Sequence, residues 1–170
     1  PALDLPIEVH GIIAAAENLP DGDAFRPGDI LRTLSGKTVE VISTDAEGRL
    51  LLADALTYAV QQDAHLLVDI ATLTGACAVA LGRGGSGLFA TDERARDLML
   101  RAASEVGERI WPLPLWDEYR DLLRSEHADL KNTAGRWGAA INAALFLREF
   151  TGGRPWLHLD IAGPAWTDQA

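Results

Sequence analysis

Three charged residues at alternate positions form the part of this sequence best suited to chemistry. Asp45, Glu47 and Arg49 stand in "VISTDAEGRLLLADALTYAV", residues 41–60, directly ahead of a long apolar run. Residues two apart face the same side of an extended segment but lie ~200° apart around a helix. The two carboxylates can therefore converge on one point only if residues 43–48 are extended or looped, and the small residues of that stretch allow this.

Two interpretations of the spacing stay open on the residues alone. Converging carboxylates repel each other unless something neutralises them, and a hard divalent cation with oxygen ligands is the usual partner. Arg49 could then hold an anion, or polarise a substrate, beside that cation. In the other interpretation Asp45 and Glu47 only begin a helix and complement its macrodipole.

The elements that must position these residues alternate between apolar strands and amphipathic helices. We predict a strand buried on both faces in residues 5–18, two short strands joined at "SGKT" in 30–42, and further strands in 65–75 and 155–163. We predict helices over residues 50–62, 92–107 and 136–153, the last capped by Gly152 and Gly153, and a shorter helix within 112–125. This order predicts an α/β fold whose mostly parallel, mixed central sheet carries helices on both faces. Ligands of such sheets bind beyond the carboxyl ends of the strands, where "DIATLTG" and "DIAGPAW" fall.

Composition excludes several classes of partner. The 170 residues suffice for one domain, and the net charge of −10 argues against binding to nucleic acid. No apolar run approaches the ~20 residues needed to span a bilayer, and the first residues lack the features of a signal peptide, so we expect no membrane partner. The single Cys77 cannot form an internal disulfide, which suits the cytoplasm, and its apolar surroundings predict a buried, inert thiol.

Other motifs are better explained by structure than by chemistry. "GRGGSG", residues 82–87, fits the dinucleotide-binding pattern formally, but no strand leads directly into it and no helix opens from it. We predict a flexible loop there and a hairpin turn at "SGKT". The four histidines show no metal-ligand spacing, and structural roles are favoured for them. They are His10, His65, His127 and His158.

The motif "STDAEGRLLLADAL" closely resembles the "NTDAEGR" signature of the leucyl aminopeptidases, the cytosol aminopeptidase family of two-metal exopeptidases. The segments "AAAENLPDGDAFRPGDILRTLSGKTVEV", "VDIATLTGACAVALG" and "HLDIAGPAW" are also similar to segments of that family, in the same order and at similar spacing. The resemblance covers nearly the whole chain. It favours the metal interpretation over the helix-start interpretation.

The resemblance implies a two-metal peptidase site. In the family the signature Asp and Glu bind two divalent ions, commonly zinc, manganese or magnesium, which places Asp45 as a ligand of one ion and Glu47 as the bridging ligand. The signature Arg, here Arg49, holds a bicarbonate ion that serves as general base. The metals activate a shared water and polarise the scissile carbonyl. By the same match, Thr72, Leu73 and Gly75 line the substrate cleft, and Ala162 and Ala165 contribute to the side-chain pocket. The small side chains of Ala162 and Ala165 leave room for an aliphatic side chain such as leucine.

Two departures from the family pattern limit these expectations. Ser43 stands where the signature usually has Asn, beside the proposed ligands. The family's remaining metal ligands, a Lys and two Asp, and a catalytic Lys belong to segments that precede residue 1. We therefore expect residues 1–170 to be a C-terminal catalytic domain without its front, its extreme C-terminus or the family's separate N-terminal domain.

The leading hypothesis is a cytoplasmic aminopeptidase that acts on peptides and forms hexamers as the family does, with this fragment alone inactive. The alternatives are a non-catalytic module that binds or assembles, and a nucleotide-binding domain that uses "GRGGSG".

Overall fold

The computed structural model describes residues 5–166, which fold into seven strands and four α-helices. The strands are β1 (Ile30–Arg32), β2 (Thr38–Glu40), β3 (Leu67–Ala71), β4 (Ser86–Ala90), β5 (Ile110–Pro112), β6 (Leu130–Lys131) and β7 (Trp156–Asp160). The helices are α1 (Gly48–Gln61), α2 (Gly75–Leu81), α3 (Glu93–Val106) and α4 (Ala139–Arg148), with 3-10 turns at Thr44–Ala46 and Asp117–Leu123. None of the described helices is long and apolar enough to cross a membrane.

Four strands form the central sheet in the order β3-β7-β4-β5. The pairs β3–β7 and β4–β5 are parallel, and β4–β7 is antiparallel. The predicted mostly parallel, mixed sheet is therefore confirmed. Every residue of β7 is buried, as expected for an interior strand that is covered on both faces.

Helices cover both faces of this sheet, as predicted. On one face Trp156 packs in a large apolar cluster with residues of α1 and α4, among them Leu56 and Phe146. On the other face Leu157 and Leu159 pack against α3. Successive side chains of β7 thus alternate between two cores, which is the period of a strand.

A second, smaller sheet has the strand order β1-β2-β6, and its strand β2 shortly precedes the proposed ligands in the chain. The predicted hairpin at "SGKT" is confirmed, because β1 and β2 pair antiparallel and Gly36 takes the positive φ of +87° that its turn requires. The parallel pairing of β2 with β6 brings Asn132, the residue after β6, alongside the segment that follows β2.

The buried strand predicted for residues 5–18 is wrong. The segment has neither strand nor helix structure, and Ile13 is 92% exposed. Its apolar pattern favours burial, but a strand needs a neighbour for its backbone hydrogen bonds, and no described strand pairs with this segment.

Small residues account for two other differences. The sequence analysis missed α2 inside "GACAVAL", where Thr74 caps the helix by accepting a hydrogen bond from Cys77 N, 3.0 Å away. The loop predicted for "GRGGSG" ends early, because Ser86 already begins β4. At Gly87 a Cβ atom would lie 2.7 Å from Cys77 Sγ, so glycine there lets β4 approach α2.

The predicted C-terminal capping of α4 is also wrong in detail. The helix ends at Arg148, and Gly152 and Gly153, with φ of +59° and +72°, form the turn beyond it. The predicted helices over 50–62 and 92–107 are confirmed as α1 and α3, and the short helix within 112–125 is the 3-10 turn Asp117–Leu123.

Candidate metal and substrate site

A cavity of about 410 Å³ opens where the first turn of α1 faces the carboxyl end of β3. Three stretches of the chain line it, residues 12–14, 45–55 and 70–73. Five of the eight residues singled out from the sequence are among them, namely Asp45, Glu47, Arg49, Thr72 and Leu73. The cavity thus lies at the end of a sheet strand, where α/β folds bind ligands.

The other three predicted substrate-binding residues do not line this cavity. Gly75 is the first residue of α2, and Ala162 and Ala165 lie in the turn after β7. That turn packs closely on the loop after α2, since a Cβ at Gly163 would be 2.1 Å from the carbonyl oxygen of Gly82.

Residues 43–48, for which an extended or looped conformation is expected, do not form an extended segment. Ser43 alone is extended, residues 44–46 form a 3-10 turn, and Glu47 has helical angles of φ −78° and ψ −38°. The 3-10 turn runs directly into α1. Asp45 and Glu47 therefore lie at a helix start, as one interpretation of the spacing expects, and they also line a common cavity. Asp45 is exposed and Glu47 half-buried at its lining.

The carboxylates of Asp45 and Glu47 have no hydrogen-bond donor among the described residues. Within residues 5–166 the side chains of Asp45 and Glu47 accept no hydrogen bond, and neither caps its helix. Their oxygen lone pairs are therefore free for a ligand, and carboxylate oxygens are the donors that hard divalent cations prefer.

Arg49 is held in the first turn of α1 with its side chain buried. Its Nη1 donates to the carbonyl oxygen of Asn132 at 2.8 Å, while its Nε is buried without a hydrogen-bond partner among the described residues. Burial lowers the pKa of Arg49 to about 10, and the negative charges of Asp160 and Glu47 oppose part of that fall. The guanidinium thus stays charged at neutral pH and has donor capacity to spare.

The neighbouring carboxylate of Asp160, at the end of β7, is fully buried and fully bonded. It accepts hydrogen bonds from Leu73 N (3.2 Å), Thr74 N (3.3 Å) and Thr74 Oγ1 (2.6 Å), and from Ala162 N at 3.2 Å. One carboxylate therefore ties the cavity residue Leu73 to the turn that holds Ala162.

Asn132 and Asp160 are not among the site residues predicted from the sequence. Asp160 carries a local signal, since it ends a predicted strand in "HLDIAG". Asn132 carries none, because its partners lie about 90 residues earlier in the chain. Ser43, the departure from the family signature, makes its contact with Asn132 through backbone atoms.

The predictions for the buried thiol and for a structural His158 agree with the structure. Burial raises the pKa of Cys77 to about 11, with the charge of Asp160 adding to the rise. His158 is fully buried in the sheet, with its Nδ1 2.5 Å from Asp69 Oδ1 and its ring stacked on Trp156.

The donors present fit part of a metal site. The free carboxylates of Asp45 and Glu47 have the right chemistry, but no group of three or more His, Cys, Asp or Glu residues able to hold a metal ion occurs within residues 5–166. Any ion bound here would need further ligands from water or from other protein segments.

Comparison with protein families gives a match over the full chain. Residues 1–170 match the catalytic domain of the cytosol aminopeptidase family. The chain is 55% identical over 168 residues to the cytosol aminopeptidase of Haemophilus influenzae (strain ATCC 51907 / DSM 11121 / KW20 / Rd), covering 99% of the chain and 34% of that protein. It is 58% identical over 164 residues to a probable cytosol aminopeptidase of Histophilus somni (strain 129Pt), with 96% and 33% covered. The chain thus spans about one third of the length of these relatives.

Solved structures give the same result. A mutant of tomato leucine aminopeptidase superimposes with a TM-score of 0.89 and 46% identity, over 91% of this chain and 31% of that one. The bottromycin maturation enzyme BotP in complex with Mn superimposes with a TM-score of 0.86 and 47% identity, over 91% and 35%. The fold described above is therefore that of the leucine aminopeptidases.

Proposed function

The chain belongs to the cytosol aminopeptidase family, and from this premise we propose that its parent protein is a metal-dependent aminopeptidase that removes leucine-like N-terminal residues from peptides. The observation that carries the proposal is the shared cavity, in which the two donor-free carboxylates of Asp45 and Glu47 lie with the buried guanidinium of Arg49. The chain spans about one third of the length of its relatives, and we propose that these 170 residues alone hydrolyse nothing.

Asp45 and Glu47 would hold the divalent ions, zinc, manganese or magnesium. When bound, the ions would supply an activated water and polarise the scissile carbonyl. The relative solved with Mn supports divalent metal use. The carboxylates of this chain contribute the negative charge that attracts such ions.

Arg49 is proposed to hold an anion, with bicarbonate as the general base. Its buried Nε lacks a partner, and its charge persists at neutral pH, so an oxyanion beside it would gain a charge-assisted hydrogen bond. Arg49 would hold the bicarbonate, which would supply a general base for the attack of water.

Thr72 and Leu73 are proposed to line the substrate cleft, because they form the cavity wall opposite α1. Gly75 is proposed to contribute to the same cleft, and Ala162 and Ala165 to the side-chain pocket, from outside this wall. Their support is the network around Asp160, which links the turn after β7 to Leu73. We also propose a cytoplasmic homo-oligomer, a hexamer as in the family, with peptides as substrates.

The experiment is a hydrolysis assay on two proteins, the 170-residue chain and the complete product of the gene that encodes it. With Mn²⁺ or Zn²⁺ and a leucine chromogenic substrate, the complete protein should turn over, a chelator should abolish turnover, and the same substrate with a blocked amino group should resist cleavage. The chain alone should show none. Turnover by the chain alone would refute the proposed incompleteness, and an inert metal-loaded complete protein would refute the proposed activity.

A second candidate, a non-catalytic module that binds or assembles, is favoured by one observation. Residues 5–166 contain no group of three or more potential metal ligands. The same assay separates the two candidates, because a binding module would remain inert in the complete protein as well.

A further inference from the structure

We propose that Asn132 is a positioning residue that aims Asp45, Glu47 and Arg49 at their common cavity. The inference rests on the proposed function, since it assigns a purpose to that cavity. Asn132 itself does not line the cavity, and it acts through the backbone of the residues that do.

The side chain of Asn132 holds both ends of the turn that carries Asp45. Its Oδ1 accepts from Ile42 N at 2.8 Å and from Ser43 N at 3.3 Å, and its Nδ2 donates to Ser43 O at 2.7 Å and to Ala46 O at 3.3 Å. An amide side chain has two lone pairs on oxygen and two N–H donors, so all four are used. The group is also fully buried, where such bonds are not exchanged for bonds to water.

The backbone of Asn132 extends the same connection to Arg49. Its carbonyl oxygen accepts from Arg49 Nη1 at 2.8 Å, and its N–H donates to Glu40 O at 3.0 Å, which continues the pairing of β6 with β2. One residue therefore fixes the guanidinium and the carboxylate-bearing turn to the same strand.

The turn has little else to hold it in place. Within the turn Ala46 N donates to Ser43 O at 3.3 Å, and the side chain of Asp45 is exposed and accepts no hydrogen bond from the described residues. Glu47 is better held, because its carbonyl oxygen accepts from Leu50 N in the first turn of α1. The direction of Asp45 thus depends on the bonds that Asn132 makes.

A merely structural role for Asn132 predicts a different result from a positioning role. Loss of four buried hydrogen bonds would lower stability in either case. Only a positioning role predicts that metal binding weakens while the chain stays folded, since residues behind metal ligands commonly set affinity by about 10–100-fold.

The test is titration of the complete gene product with Mn²⁺ alone, monitored by electron paramagnetic resonance of the free ion. Asn132→Ala and Asn132→Leu are compared with wild type and with Asn142→Ala. Asn142 is an equally buried asparagine in α4 whose side chain donates to Trp137 O at 3.0 Å, away from the cavity. The leucine variant keeps the approximate size of the side chain and adds no charge, loses the four side-chain hydrogen bonds, and serves if the alanine variant does not fold.

We expect both Asn132 variants to bind Mn²⁺ at least tenfold more weakly than wild type, and Asn142→Ala to bind it within twofold. Folded Asn132 variants that bind like wild type would overturn the proposal, as would an equal loss in Asn142→Ala.

Amide hydrogen exchange of residues 42–49 separates failure of this inference from failure of the proposed function. A wild-type chain that binds no Mn²⁺ would argue against the metal site of this chain. Exchange that accelerates only in residues 42–49 of the Asn132 variants would still support the positioning role, and unchanged exchange would overturn it.

Discussion

Asp160 and the pair Asp45–Glu47 lie at the same end of the fold, yet the protein treats their carboxylates in opposite ways. Asp160 is fully buried and takes hydrogen bonds from three backbone amides and a hydroxyl. Asp45 and Glu47 accept none from the described residues, although the backbone around them is bonded to Asn132. A carboxylate saturated by protein donors is part of the scaffold, whereas one held in place but left without donors is available to an external ligand.

The largest expected effect on stability comes from removal of the Asp160 carboxylate, which is saturated by donors of the protein. Asp160→Ala would leave four buried donors without an acceptor, so we expect the free energy of unfolding to fall by about 4 kcal/mol. Asp160→Asn keeps one side-chain oxygen as acceptor and should lose less. Urea unfolding monitored by circular dichroism measures both. If Asp160→Ala costs no more than replacement of Glu47 by Gln, the contrast between the two kinds of carboxylate is wrong.

Glu149, a second saturated carboxylate, gives a prediction about pH. Its side chain lies between Lys37, whose Nζ is 2.8 Å from Oε2, and Arg120, which bonds the other oxygen, and these contacts lower its pKa from 4.5 to about 2. A carboxylate with a depressed folded-state pKa stabilises the protein above its unfolded pKa and loses that contribution as pH falls. Stability should therefore decline between pH 4.5 and 2.

Replacement of Glu149 by Gln should remove roughly 2 kcal/mol of stability at pH 7, a value reduced from the full shift because Arg120 is partly exposed. The variant and wild type should converge near pH 2. The exposed Glu118→Gln serves as control and should follow wild type throughout. A constant gap between Glu149→Gln and wild type from pH 7 to 2 would contradict the assignment.

A smaller effect is expected at Thr74, one of the donors that saturate Asp160. Its hydroxyl donates to Asp160 Oδ2 and accepts from Cys77 N, which caps α2. Thr74→Val preserves shape but loses both bonds, so we expect a loss of about 2 kcal/mol, whereas Thr74→Ser should lose under about 1 kcal/mol. Thr57→Val is the matched control, because Thr57 is also buried but bonds only the carbonyl of Ala53 within its own helix. Equal losses at the two sites would show that the Asp160 network adds nothing.

Which parts of the molecule could be predicted from the sequence depends on whether the interactions that form them are local or join residues far apart in the chain. Strands β3 and β7 and helices α1 and α3 follow from local periodicity, and the signature at Asp45 and Glu47 lies in one short motif. Asn132 could not be predicted, because its role arises from the pairing of β6 with a strand 90 residues away. The strand predicted for residues 5–18 is wrong for the converse reason. The apolar pattern of the segment favours a strand, but no described strand pairs with it.

The small-residue elements were missed because their helical or strand character depends on close packing rather than on side-chain pattern. α2 consists of Gly, Ala, Cys, Val and Leu with no polar face, and β4 contains Gly87, whose missing side chain leaves room for Cys77. A capping threonine before α2 was the one local signal available.

The smallest effect on stability is expected for Asp45 and Glu47, whose carboxylates accept no hydrogen bond from the described residues. This prediction is the strictest test of their contrast with Asp160. Replacing Asp45 by Asn and Glu47 by Gln in one chain removes no hydrogen bond found within residues 5–166, so the free energy of unfolding without metal should change by about 0.5 kcal/mol or less. The change should be small because two effects oppose each other: repulsion between two carboxylates that face one cavity is relieved, and the attraction of Glu47 for the buried Arg49 guanidinium is lost. Millimolar Mn²⁺ should raise the melting temperature of wild type and of the exposed control Glu105→Gln, but not that of the double variant, because a ligand stabilises only a protein that binds it. Equal shifts in all three proteins would place the binding elsewhere. A double variant that is strongly destabilised without metal would mean that these carboxylates belong to the scaffold after all, like Asp160.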